Sequence, residues 1–286
     1  MNNGDIMILE TIAQANRERY AEIEKQIPLE EIKNKALSMN ITYEFPFEKA
    51  LAKDGISYIC EVKKASPSKG IIAEDFPYLE IAKEYEAAGA SAISCPYVQI
   101  AKDYENAGAS AISVLTEPQW FKGENKYLQE ISQNVKIPLL RKDFTVCEYQ
   151  IYEAKVIGAS AVLLICALLD TETIRKWIEI CDSLGLSALV EAHTEEEVKS
   201  ALDAGARVIG VNNRNLKDFT VDLTTCTRLR KLVPKEILFV GESGIKTAED
   251  VQELREAGVN GLLIGETLMR NADKKKALEE LNGDKL

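Results

Sequence analysis

A (β/α)8 barrel is the fold this sequence predicts, and three observations predict it. Short apolar runs recur eight times from residue 56 onward, amphipathic segments separate them, and several of those segments close on a glycine just before the next run. Runs this short and this continuously apolar suit strands buried on both faces of a parallel sheet. Eight strands, each followed by a helix, fit a closed barrel. An open doubly wound sheet is the alternative. It would carry a Gly-rich dinucleotide fingerprint after an early strand, and the chain contains no GxGxxG.

Each element has its own justification. Residues 1–54, with "MILETIAQANRERYAEIEKQ" and "PLEEIKNKAL", read as N-terminal helices added to the barrel. No Pro/Gly/Ser linker divides the chain, so residues 1–286 are expected to form a single domain. The strand candidates are "ISYIC", "SAISVL", "IPLL", "SAVLLIC", "LSALV", "RVIGV", "EILFV" and "NGLLIG". Between them, "EYQIYEAKVIG", "TETIRKWIEICDSLG", "TEEEVKSALDAG" and "TAEDVQELREAG" read as helices. Gly108, Gly158, Gly185, Gly205 and Gly258 stand where a helix turns left-handed at its C-terminus. Thr194 and Thr247 precede acidic first turns, as N-caps do.

One segment breaks the rhythm. Residues 76–94, "FPYLEIAKEYEAAGASAIS", and 95–113, "CPYVQIAKDYENAGASAIS", are a tandem repeat with fourteen of nineteen positions identical. A repeat architecture needs three or more units, so this is one α/β unit duplicated in place. A closed barrel has room for one second strand. The first copy runs into Cys95-Pro96, and proline lacks the N–H a central strand donates. The strand near Ser110 to Leu115 is therefore expected in the barrel. Two dockings remain for the helix. Either the second copy's helix packs beside its own strand, the arrangement favoured here, or the first copy's helix docks and residues 89–107 emerge at the opposite face.

Composition bounds the function. Charged residues make up 28% of the chain and the formal net charge is −11, which disfavours nucleic acid and anionic membrane as partners. No stretch approaches the length of a membrane span, and the N-terminus lacks a secretory pattern. Met7 is an alternative start. Six cysteines without CxxC spacing fit a reduced, cytoplasmic setting. The single histidine, His193, makes a transition-metal site improbable, and a surface or N-cap role is expected for it rather than catalysis.

Chemistry belongs at the C-terminal strand ends. Those ends read Glu61 and Lys63, Lys142, Glu191, Asn212 and Arg214, then Glu242-Ser243-Gly244. Period-two alternation puts Glu61 with Lys63, and Asn212 with Arg214, on shared faces. So many charges at one mouth are costly to bury unless paired, and with no catalytic histidine they place acid–base work on lysine and glutamate. "GESGI" (241–245) and "LIGETLM" (263–269) end the last two strands. Their glycines Gly244 and Gly265, with Glu266, suit a phosphate cradle of backbone N–H groups.

In order, "EVKKASPSKG", "SAISVLTE" with "WFKG", "PLLRKDF", "EAH", "VNNRNL", "GESGI" and "LIGETLM" resemble the indole-3-glycerol-phosphate synthase family over nearly the whole chain. The resemblance implies a cofactor-free lyase of tryptophan biosynthesis. It would close the ring of 1-(2-carboxyphenylamino)-1-deoxyribulose 5-phosphate, releasing carbon dioxide and water. It implies Lys142 as the acid in ring closure, Lys63 holding a substrate anion and serving in dehydration, Glu61 as a base, and Glu191 supporting Lys142. Asn212, Arg214, Glu242 and Ser243 would line the pocket, and Ser66, Phe121 and Phe144 match substrate-contact positions. A monomer is expected. Rival readings are a phosphoribosylanthranilate isomerase-like barrel, which uses a Cys/Asp acid–base pair and against which the strand-end Glu/Lys set speaks, and a ligand-binding barrel that has lost turnover because of the repeat. Two departures from the family stand out: the duplication, and Glu124 in "FKGE", where a small polar residue is expected and the loop after the second strand could be perturbed.

Overall fold

The computed structural model describes residues 6–66, 70–71, 96–215 and 220–283. Three helices come first: α1 (Ile6–Gln26), α2 (Leu29–Ser38) and α3 (Pro46–Leu51). Strand β1 (Ser57–Val62) follows, then a small antiparallel hairpin, β2 (Ala65–Ser66) with β3 (Gly70–Ile71), which the apolar pattern does not announce. The other barrel strands are β4 (Ala111–Leu115), β5 (Leu139–Lys142), β6 (Ala161–Ile165), β7 (Ser187–Ala192), β8 (Val208–Asn212), β9 (Leu238–Glu242) and β10 (Gly261–Ile264). They are parallel throughout, and β1 closes the ring by pairing with both β4 and β10. Helices α4 (Pro96–Asn106), α5 (Asn125–Ser132), α6 (Tyr149–Val156), α7 (Thr171–Ser183), α8 (Glu195–Asp203), α9 (Thr224–Arg230) and α10 (Ala248–Glu256) alternate with them. The short α11 (Glu266–Met269) and α12 (Lys274–Asn282) end the chain. All eight apolar runs are barrel strands.

Local chemistry explains the boundaries. Thr194 accepts from the Glu197 N–H to cap α8, and Thr247 forms a capping box with Asp250 at α10. The five predicted helix-ending glycines all have φ between +68° and +91°. Inside the ring, Ile59, Ala111, Leu140, Ala161, Leu163, Leu189, Val208, Val240 and Leu263 form an apolar cluster with Phe47 and Leu51 of α3. A Cβ on Gly261, the first residue of β10, would meet Leu51 at 2.8 Å, which places α3 as a plug at the N-terminal end of the barrel. Function is thereby left to the other end.

Helix α1 is bound to the barrel by polar contacts as well as apolar ones. Arg141, 1% exposed, faces outward from β5. It donates to the Tyr20 hydroxyl (2.6 Å), Glu153 (2.8 Å), Asn125 (2.9 Å) and the Gln150 carbonyl (2.8 Å). Asn16 of α1 donates to Asp143 at 3.0 Å and to the Phe144 carbonyl at 2.9 Å. A buried guanidinium satisfied on this many sides tolerates its desolvation.

The duplication resolves in favour of the second copy. That copy supplies both α4 and β4. Its helix buries Val98, Ile100, Ala101 and Tyr104 against the strands. Ile59 of β1 is in register with Ala111 and Cys60 with Ile112, so no further strand stands between β1 and β4. The first copy, 76–94, lies outside the described residues.

Candidate active site

On four strands of the ring an apolar inward residue is followed by a charged one at the last rung. There β1 steps from Ile59 to Glu61, β5 from Leu140 to Lys142, β7 from Leu189 to Glu191 and β9 from Val240 to Glu242. These are alternate strands of the ring, and alternate strands contribute one layer of side chains in such barrels. A single layer of four ionisable groups therefore caps the apolar interior. It forms the floor of a cavity of about 640 Å³.

The groups are paired. Lys63 Nζ lies 2.6 Å from Glu61 Oε1, as the shared face requires. Lys142 Nζ lies 3.2 Å from Glu191 Oε2 and 3.6 Å from Glu242 Oε2. Burial opposes the Lys142 charge, but Glu191, Glu242 and Glu61 more than offset it, so the ammonium is held above the usual lysine range. Glu191 and Glu242 face the same ammonium and are shifted in opposite directions. Burial works against the Glu191 anion, yet Lys142 and His193 outweigh it and hold its carboxyl below the ordinary range. Burial pushes the Glu242 carboxyl up to about 8, with Lys142 opposing and the Glu191 charge reinforcing the rise. At neutral pH the pair thus carries one proton, on Glu242.

Two glycines make room for this layer. A Cβ on Gly265 would fall 2.4 Å from Glu61 Oε1 and 3.0 Å from Lys63 Nζ. One on Gly210 would fall 2.4 Å from Glu242 Oε1. Glycine is the residue that lets side chains from neighbouring strands pass so close.

Around the floor, the cavity collects nearly every residue singled out in the sequence: Phe121, Phe144, Asn212, Arg214, Ser243, Gly244, Gly265 and Glu266. The Phe121 and Phe144 rings face each other at 5.9 Å. Asn212 Oδ1 accepts from the Arg214 N–H at 3.0 Å, which fixes the turn after β8. Ser243 and Gly244 both lie in the left-handed region, at φ of +65° and +84°. A serine there is strained by on the order of 1 kcal/mol, and the Asn213 amide, donating to the Ser243 carbonyl at 3.1 Å, helps hold it. A Cβ at position 244 would strike Val221, so this turn admits only glycine without rearrangement. Ser66 belongs to β2, and its side chain lies outside the described residues.

Several contributors carried no sequence signal. Ile8, Leu9 and Ile12 of α1 form one wall of the cavity, and Lys246, Thr267 and Arg270 add to the side where Gly244 and Gly265 lie. Glu117, 1% exposed, accepts from the N–H groups of Gln119, Trp120 and Phe121 at 2.7–2.9 Å and shapes the loop that presents Phe121. Glu124 stands at the start of α5 and accepts from the Tyr127 hydroxyl at 2.9 Å. The expectation for His193 needs correction. The ring is not on the surface; it is enclosed between Glu191 and Glu197, because the turn from β7 into α8 folds it back toward the barrel.

No group of three or more His, Cys, Asp or Glu with metal-holding geometry occurs among the described residues. No helix among them is long and apolar enough to cross a membrane.

Fold and site define a class: (β/α)8 barrels with a lysine–carboxylate cluster on the floor of a C-terminal cavity. Comparison with known proteins narrows it. The family model described as indole-3-glycerol phosphate synthase matches residues 9–97 and again 95–281, the two matches meeting at the junction of the repeat. An indole-3-glycerol phosphate synthase of Ruminiclostridium cellulolyticum is 52% identical over 97% of this chain and 99% of its own. Another, of Lachnoclostridium phytofermentans, is 47% identical over 96% and 98%. Among solved structures, a thiamine phosphate pyrophosphorylase from Pyrococcus furiosus shares the fold at a TM-score of 0.55 with 18% identity, covering 80% of this chain and 94% of that one. The chain belongs to the indole-3-glycerol phosphate synthase family.

Proposed function

We propose that this chain is a carbon–carbon lyase that converts 1-(2-carboxyphenylamino)-1-deoxyribulose 5-phosphate to indole-3-glycerol phosphate, carbon dioxide and water. The observation that carries the reading is the buried ammonium of Lys142 between Glu191 and Glu242, at the base of a cavity that could enclose a substrate of this size. Ring closure joins an aryl carbon to the substrate's ketone carbon, and the ketone oxygen must gain a proton as it does so. Lys142 bears that proton at neutral pH and is assigned to deliver it. Loss of carbon dioxide then returns the bonding electrons to the ring. Expulsion of the new hydroxyl as water, with loss of a proton from the adjacent methylene carbon (C1 of the substrate's sugar chain), completes the indole.

Lys63, paired with Glu61 across the floor, is assigned to hold the substrate carboxylate and to protonate the departing hydroxyl, with Glu61 accepting the last proton. Glu191 keeps Lys142 charged and faces the nitrogen as it becomes cationic. The phosphate is assigned to the side formed by Gly244, Gly265 and Glu266, where Arg270 offsets the Glu266 charge at 3.2 Å. Phe121 and Phe144 would enclose the aryl ring.

Mixing the protein with the substrate and following indole fluorescence tests the activity. Lys142→Ala should lower kcat by roughly a thousandfold while the circular dichroism spectrum stays unchanged. Near-wild-type turnover in that variant would sink the assignment, and binding without fluorescence in the parent chain would favour an inactive barrel.

A further inference from the structure

His193 is the one histidine of the chain, and its placement between two carboxylates goes unused in the chemistry above. It follows Ala192, the last residue of β7, one residue ahead of the Thr194 cap of α8. The α8 carboxylate Glu197 grips it twice: Oε2 accepts from the His193 backbone N–H at 2.7 Å and lies 3.2 Å from Nδ1. On its other edge, Nε2 is buried and makes no hydrogen bond of normal geometry among the described residues, yet it lies 3.4 Å from Glu191 Oε1. Both ring nitrogens therefore face carboxylate oxygens, and only the imidazolium has a proton for each. Among the described residues, Glu242 on β9 also acts on the ring through its charge, and the Cys166 thiol after β6 donates to the Glu197 carbonyl at 3.5 Å.

This arrangement makes the two floor carboxylates unequal. Glu191 is approached by two cationic groups, Lys142 at Oε2 and His193 at Oε1. Glu242 has one ion-pair partner within 4 Å among the described residues, Lys142 at 3.6 Å, with the imidazole farther off, and its Oε1 is buried without a hydrogen-bond partner there. Two carboxyls that share one proton place it on the member with less cationic support.

We propose that His193 is a positioning residue: as an imidazolium behind Glu191, it selects that carboxylate as the ionised member of the Glu191–Glu242 pair and keeps Oε2 turned toward Lys142. The proposal rests on the reading of Glu191 as the catalytic partner of Lys142. When His193 loses its charge, Glu191 loses half of its cationic support and competes with Glu242 for the shared proton. Turnover then falls, although His193 itself touches no substrate atom.

The test has two arms. Because there is a single histidine, its ring gives one unambiguous set of NMR signals in the ligand-free protein. The ring should remain protonated above the ordinary midpoint of about 6.5, and Glu191→Gln and Glu197→Gln should each lower its midpoint. In the second arm, His193→Gln should move the acid limb of the kcat profile upward, lowering kcat about tenfold below that limb for a one-unit shift, while KM changes by less than about twofold. A ring that titrates at or below 6.5, or a His193→Gln profile that overlays the parent, would overturn the proposal. Should His193→Gln fail to fold, the kcat profile of Glu197→Gln replaces it, with the same outcomes. The ring titration needs no substrate. A parent protein that turned nothing over would count against the synthase reading, while the NMR arm would still decide the state of His193.

Discussion

Replacing Glu242 with glutamine should leave the protein as stable as its parent in mild acid and more stable in mild alkali. The carboxyl of Glu242 is held protonated in the fold up to about pH 8, chiefly by burial. In the unfolded chain it ionises at about 4.3. Between those values the native state binds a proton that the unfolded state has released. Stability therefore declines as pH rises across this window, and the loss is complete once pH passes the folded value. Integrated from pH 5 to pH 8, a gap of this size removes roughly 3 kcal/mol. Glutamine has the shape of the protonated carboxyl, can donate to Glu191 and cannot ionise. Urea denaturation of both proteins at pH 5, 6, 7 and 8 reads the effect directly, because groups common to both cancel in the difference. The difference in unfolding free energy should be near zero at pH 5 and grow in favour of Glu242→Gln with each step. A difference that is flat with pH, or that grows in the opposite direction, would show that Glu242 is ionised in the fold and refute the proton assignment.

Other expectations follow from the same geometry. Gly265→Ala places a methyl group 2.4 Å from Glu61 Oε1, so the Glu61–Lys63 pair must move. Steady-state kinetics should show kcat/KM reduced by roughly a hundredfold, with stability changed by no more than ~1 kcal/mol, since only side-chain ends are displaced. Arg141→Met leaves Asp143 and Glu153 without their buried counter-charge. It should cost about 3–5 kcal/mol in chemical denaturation, and Arg141→Lys should recover only part of that because it lacks the guanidinium fork. Deleting residues 76–94 removes no described strand or helix of the barrel. Activity should persist and the melting midpoint should rise, since a shorter connection between β3 and α4 costs less closure entropy, by about 0.6 kcal/mol per halving of its length. A midpoint that falls would mean the first copy contributes to the fold.

The strands and most helices were legible because their signals are local. An apolar run, a threonine before acidic residues and a glycine at a helix end each act within a few positions, and the structure uses them as written at Thr194, Thr247 and Gly258. The floor of the site was legible for a related reason: Glu61, Lys142, Glu191 and Glu242 interrupt apolar ladders, and a charge at the last rung of a buried strand has few places to go. What stayed hidden depends on distant pairings. Ile8, Leu9 and Ile12 look like any apolar stripe of a helix until α1 is laid against the cavity. Arg141 reads as a flanking charge, yet Tyr20, 121 residues away, accepts its hydrogen bond at 2.6 Å. A lone histidine has no partner visible in sequence, so His193 reads there as a surface or N-cap residue. Its two neighbours come from β7 and α8 only after the chain turns. The hairpin of β2 and β3 is too short for any periodicity to register.

The junction between β1 and β4 has a practical consequence. Hydrogen-bond register, rather than the number of strand-like segments the chain can offer, decides when the ring is complete. With Ile59 set against Ala111, membership is full, and a surplus unit upstream is left without a seat. The stretch between β3 and α4 therefore marks a cargo position, where a foreign peptide of comparable length could be exchanged for residues 76–94 with the eight-stranded ring kept as its chassis.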